Sequence, residues 1–142
     1  MLKRLALSAA AAAALAACAT TPPPPPAPVF TGPQAFALTT LMGQPPAFAG
    51  VTITLDGPRA LGSTGCNSYM AVFNRADPEP IRWFQVGEVV CTDQQMALER
   101  SFLDALNNTR SLEESPAGLV LRDAAGGEVA RLSRTTRPTS GS

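Results

Sequence analysis

The chain has 142 residues, eleven basic and eleven acidic, and no histidine. Without histidine there is no Ser-His-Asp triad and no Cys-His dyad, and a zinc site would have to rely on cysteines and carboxylates alone. Three cysteines, Cys18, Cys66 and Cys91, carry whatever sulfur chemistry the chain has.

The first segment reads as an export signal. Lys3 and Arg4 precede a short run of small apolar residues, and the run ends in Leu15-Ala16-Ala17-Cys18. A basic start, a short apolar stretch and small residues at the cleavage point mark a secretory signal peptide, here residues 1–17. The stretch is shorter than the ~20 residues that span a bilayer. Leu-Ala-Ala-Cys at this position resembles the lipobox of bacterial lipoproteins. The resemblance implies cleavage before Cys18, acylation of its sulfur (palmitate or a similar chain) and acylation of its new amino group. Ala19 follows in place of the aspartate of inner-membrane retention, so the expected location is the outer membrane, facing the periplasm. An ordinary signal peptide with an incidental cysteine is the competing reading.

Residues 18–33 hold the run Pro22 to Pro26 and Pro28. Such a segment builds neither helix nor sheet interior and reads as an extended polyproline II tether. Removing the signal takes Lys3 and Arg4 with it, leaving nine arginines against eleven acidic residues, a net charge of about −2. The arginines are scattered and form no basic stripe, so no nucleic-acid partner is expected. "DAAGGE" reads as a turn and not as a phosphate cradle.

The folded part is expected over residues 34–133, with a frayed polar tail at 134–142. "QAFALTTLMGQPP" supplies a first strand and a turn. Val51, Ile53 and Leu55 alternate with Thr52 and Thr54, the pattern of a half-buried strand. Asp56-Gly57 signals a hairpin into "RALGSTG". "NSYMAVFN" and "IRWFQVGEVV" read as two more strands, the second with a bulge expected at Gly87. Trp83 and Phe84, being adjacent, should face opposite ways, and whichever is exposed is the aromatic best placed for a partner contact. "TDQQMALERSFLDALNN" changes period: Met96, Glu99 and Leu103, with Leu98, Phe102, Ala105 and Leu106, fall at helical spacing. Thr92 with Gln95 fits a capping box, and Asp93 suits the first turn. A hairpin from Leu119 to Leu132 closes the chain. The expected fold is α+β but β-dominated: a mostly antiparallel sheet, curved or forming a partial barrel, with one helix packed on it.

The motifs together resemble the META domain family of HslJ-like bacterial lipoproteins. Gly65, Cys66, Asn67 and Tyr69 match its Gly-Cys-Asn-x-Tyr motif. Val90 and Cys91 sit where its second motif ends in Ala-Cys, and Glu99, Phe102, Ala105 and Leu106 match its Glu-x-x-Phe-x-x-Ala-Leu helix. Phe36 stands where a Trp is common. The resemblance covers residues 34 to 133. It implies a compact antiparallel fold, a link to envelope stress or integrity, and no catalytic residue, so no catalytic, metal or cofactor site is assigned.

With Cys18 lipidated, Cys66 and Cys91 remain as an even pair in an oxidising compartment, and a disulfide between them is expected. The alternative is two buried free thiols. Gly65 is expected to serve a tight backbone and Asn67 a turn. The functional expectation is a non-enzymatic, lipid-anchored, monomeric binding or structural module, held to the membrane through Cys18, with an unidentified envelope protein as partner. The alternative is a lipoprotein that binds a small, antibiotic-like ligand, and the least favoured reading is an enzyme with carboxylate chemistry.

Overall fold

The computed structural model describes residues 32–136. The signal peptide, Cys18, the proline tether up to residue 31 and the tail from residue 137 lie outside the described residues. Eight strands and one helix follow in the order β1 (Gln34–Leu41), β2 (Thr52–Asp56), β3 (Arg59–Ser63), β4 (Ser68–Phe73), β5 (Ile81–Val86), α1 (Asp93–Asn108), β6 (Ser111–Ser115), β7 (Gly118–Arg122) and β8 (Glu128–Thr135). All eight strands belong to one antiparallel sheet, ordered β5-β4-β3-β2-β1-β8-β7-β6. The sheet curls into a half-barrel, and α1 packs against it, touching β5, β1 and β8.

Local chemistry explains the meander. Gly57 and Pro58 join β2 to β3 in a two-residue loop, with Gly57 at φ +54°. Proline fixes the second φ near −65°, which with a glycine first gives a type II′ turn, one whose twist suits a hairpin. α1 begins where Thr92 caps it: the Thr92 hydroxyl accepts the Gln95 N–H, and the Gln95 side chain accepts the Thr92 N–H. The expected capping box is therefore present, and it fixes the direction in which the helix leaves the loop.

Burial follows the curl. Phe36, Ile53, Leu55, Tyr69, Leu119, Leu121 and Leu132 from the sheet meet Phe102 and Leu106 from α1 in one core. Tyr69 and Phe102 pack edge to face at 5.8 Å between centroids, a favoured aromatic arrangement. The Tyr69 hydroxyl donates to the Thr52 carbonyl at 3.0 Å, so the fully buried phenol is satisfied. Burial alone pushes its pKa well above the ordinary tyrosine value.

Several expectations are corrected. β6, "SLEES", went unanticipated: its one apolar residue, Leu112, gives no alternation to read, yet it pairs residue by residue with β7 as an edge strand. The β2 strand is buried on both faces, with Thr52 and Thr54 each only 8% exposed, because the register sets them beside Ala35, Ala37 and Leu61. The bulge in β5 falls at Phe84, between the pairs Ala71–Trp83 and Met70–Gln85, and not at Gly87. Gly87 instead follows the strand, its N–H donating to the Ser68 carbonyl. β8 runs to Thr135, two residues past the boundary expected from sequence.

The sheet does not close on itself. Its edge strands are β5 and β6, and ion pairs link the loop before β5 to the segment around β6. Arg75 pairs with Glu114, and Arg110 approaches Glu79 at 3.9 Å. Glu114 also meets Arg134 at 3.3 Å, whose guanidinium lies 5.0 Å from the Phe36 ring centroid.

Candidate functional site

The Gly-Cys-Asn segment and the loop before α1 meet at one end of the molecule. A disulfide joins Cys66, in the β3–β4 connection, to Cys91, in the β5–α1 connection. Both cysteines are half-buried. Gly65 precedes Cys66 at φ +87°, a region side chains rarely adopt, and a Cβ there would lie 3.1 Å from the Phe48 ring. Two independent demands therefore fall on this glycine.

The expected turn role of Asn67 is corrected: its side chain bonds the β5–α1 loop and α1, while Thr64 Oγ1 holds the local backbone. Asn67 Oδ1 accepts the Val89 N–H at 2.8 Å, and its Nδ2 donates to the Val89 carbonyl at 3.2 Å. One side-chain amide thus holds both polar groups of a residue twenty-two positions away, as a neighbouring strand would. Gly87 lies against the same amide: a Cβ there would be 2.8 Å from Asn67 Oδ1. The loop can approach Asn67 only because that position has no side chain.

Beneath Asn67 lies a buried carboxylate. Glu99 is 7% exposed, on the core-facing side of α1. Its Oε2 accepts from Asn67 Nδ2 at 3.0 Å and from the fully buried Thr64 hydroxyl at 2.5 Å. Thr64 Oγ1 in turn accepts the N–H groups of Asn67 at 2.9 Å and Cys66 at 3.3 Å. With both lone pairs engaged, its one proton faces two acceptors, Glu99 Oε2 at 2.5 Å and the Asn67 carbonyl at 3.1 Å, and the shorter contact favours the carboxylate. Among the described residues no cation pairs with this carboxylate; neutral donors hold it. Glu99 thereby ties the helix to the β3–β4 connection, a role the sequence did not disclose. The available signal was a Glu between Leu98 and Phe102 on the apolar stripe.

The loop so fixed carries exposed apolar side chains: Val89 is 63% exposed and Val90 88%. Trp83, on the face of β5 shared with Ala71, is 36% exposed. The Phe84 side chain lies outside the described residues.

A second feature sits at the other end of α1. A cavity of about 520 Å³ opens between the last two turns of the helix, the β7–β8 turn and the β1–β2 connection. Met42, 65% exposed and at φ +50°, forms part of its rim, and Ala105 and Val129 part of its floor. A non-glycine residue at positive φ is held there by its surroundings. Here the Met42 N–H donates to the Val129 carbonyl at 2.9 Å. Asp104 and Asp123 add carboxylates to the wall.

Neither place assembles a nucleophile with a base, and among the described residues no three histidine, cysteine or acidic side chains converge as metal ligands.

Comparison with known proteins fits this geometry. The family model described as META domain matches residues 30–136. A solved structure described as "NMR structure of the protein from Burkholderia xenovorans" shares 20% identity over 83% of this chain and 99% of its own, with a TM-score of 0.50, a likeness of fold alone. The search of curated proteins returned no match.

Proposed function

Because the chain belongs to the META domain family, we propose that it is a non-catalytic binding or structural module, exported and tethered through an acylated Cys18 to the outer membrane, where it serves envelope integrity or the response to envelope stress. The META domain is not a family known for enzymatic activity. The observation that carries the reading is the Cys66–Cys91 disulfide. Disulfides persist in oxidising compartments such as the periplasm and are rare in the cytosol. The tether reading rests on the lipobox-like Leu15-Ala16-Ala17-Cys18 and the proline run that follows.

The surface that best suits a protein partner is the loop from Gly87 to Cys91. Binding loses affinity to the entropy of ordering mobile loops, and a loop already fixed at both ends loses less. Here the disulfide fixes Cys91 and Asn67 fixes Val89, while Val89 and Val90 project into solvent.

Intact-mass spectrometry of the protein isolated from its own membranes, with and without reduction and alkylation, tests the reading. The expected result is a triacyl mass on Cys18 and no thiol labelled until reduction. An unmodified Cys18 together with alkylated Cys66 and Cys91 in the unreduced sample rejects both the tether and the exported state. A photo-crosslinking residue at Val90 tests the partner surface. It should yield a discrete protein adduct absent when the same residue is placed at Ser133, and equal yields at both positions reject the loop as the contact.

A second reading, small-ligand binding, is favoured by the cavity at the C-terminal end of α1.

A further inference from the structure

We propose that the cavity beside the last turns of α1 binds small molecules that carry a protonated amine on an apolar body. The inference rests on the small-ligand reading and adds the chemical class. A volume of about 520 Å³ falls within the range of small-molecule sites, which are apolar hollows with a few placed polar groups. Met42, Ala105 and Val129 supply apolar surface.

The charge preference follows from which polar groups are already engaged. Ser101 donates its hydroxyl to the Ala97 carbonyl at 3.0 Å. Asn108 donates its amide to the Asp104 carbonyl at 2.9 Å. Arg110 turns Nη1 onto the carbonyls of Asn107 and Thr109, at 2.7 and 2.9 Å, and its Nη2 faces Glu79. The hydroxyl of Ser101, one Asn108 N–H and Arg110 Nη1 are thus turned onto backbone, and Arg110 Nη2 faces Glu79. The side-chain oxygens of the wall are less engaged. The Asp104 carboxylate has no partner among the described residues, and Asp123 spends only Oδ1, on the N–H groups of Ala125 and Gly127. The Asn108 carbonyl oxygen likewise accepts no bond among the described residues. The helix end itself is already met by Arg110 through the Asn107 and Thr109 carbonyls, so the charge preference rests on the side-chain acceptors. Two carboxylates against the single guanidinium of Arg110, with amide and hydroxyl oxygens over an apolar floor, leave a net negative wall that complements an ammonium group attached to a hydrocarbon.

The test is a ¹H–¹⁵N NMR titration of the mature protein with three probes of equal length: octylammonium, octanol and octanoate. Octylammonium should produce saturable shifts at residues 101–108 and 123–129, with affinity about five- to twenty-fold above octanol, since each partly exposed charge pair adds a factor of a few. Octanoate should be weakest. The octylammonium affinity should fall as salt rises from about 20 to 300 mM, as screening of exposed charges requires. Asp104→Asn should weaken it about two- to five-fold, and Ala125→Arg, which puts a cation at the rim, should abolish saturable binding. Both positions are exposed, so the variants' own spectra report whether the fold persists. Equal affinity for the three probes overturns the charge preference and leaves a small-ligand site standing. No saturable shift with any probe overturns both. Shifts centred away from the cavity overturn the location.

Discussion

The two ends of α1 are built on opposite principles. At the N-terminal end three side chains reach another element. Cys91 is bonded to Cys66, Gln95 donates to the Gly65 carbonyl at 3.4 Å, and Glu99 accepts from Thr64 and Asn67. At the C-terminal end the polar groups satisfy their own helix: Ser101 to Ala97, Asn108 to Asp104, Thr109 to Ala105. Long-range bonds fix one element against another; local bonds leave the surface beside them free. The first end therefore suits holding a shape and the second suits receiving something. The difference teaches that the family's Gly-Cys-Asn motif builds rigidity, and that the cavity lies among residues outside that motif.

The largest test of this contrast removes the crosslink. A Cys66→Ala/Cys91→Ala variant should lose on the order of 3 kcal/mol, the chain-entropy value for closing a loop of separation 25. For a domain near a hundred residues that lowers the melting temperature by roughly 12–24 °C, read by thermal circular dichroism. Loss of less than about 1 kcal/mol would mean that Asn67 and Glu99 fix this end without the disulfide. Asn67→Ala comes next. It strips both bonds from Val89, whose backbone groups are part-buried, and one from the buried Glu99, which keeps Thr64; a fully buried group left unsatisfied would cost about 1–3 kcal/mol. Urea unfolding should show about 2–3 kcal/mol, and hydrogen exchange should speed at Val89 while residues 101–108 stay protected. Exchange that rises equally at both ends of α1 would dissolve the distinction. Thr92→Ala removes one cap and should cost about 1 kcal/mol, measured by the same unfolding curves.

The contrast also separates what the sequence made legible from what it hid. Strands and the helix announce themselves by period and punctuation: Val51 to Leu55 alternates, Asp56-Gly57 turns, and Thr92 with Gln95 caps. These are local rules, so they survive without knowledge of the fold. Glu99 was visible as a motif residue, but its burial depends on Thr64 and Asn67 arriving from thirty positions upstream, which no local pattern encodes. The strand β6 was hidden for a related reason. Serines and glutamates form a strand there because β7 offers a ladder, and an edge strand needs few apolar side chains. The cavity was hidden most completely. Met42, Asp104 and Asp123 come from three separate segments, and each alone reads as an ordinary surface residue.

The smallest effect is the sharpest discriminator between the two ends. Asp104→Asn should change stability by no more than about 0.5 kcal/mol, because the side chain is exposed and has no partner to orphan. Glu99→Leu, only five residues away on the same helix, should cost about 1–3 kcal/mol by leaving one buried Asn67 N–H without its acceptor, while the Thr64 hydroxyl can turn to the Asn67 carbonyl. Glu99→Gln separates shape from charge at that position. An amide oxygen can still accept from both donors, so a cost well below that of the leucine variant means that geometry, and not charge, is what the site requires. If Asp104→Asn proves as damaging as Glu99→Leu, the carboxylate at the cavity serves the fold, and the distinction between a welded end and an open end fails. If Asp104→Asn instead leaves the melting curve unmoved, Asp104 contributes nothing measurable to folding. A weakening of octylammonium binding in that variant can then be assigned to the ligand contact itself and not to a loosened helix.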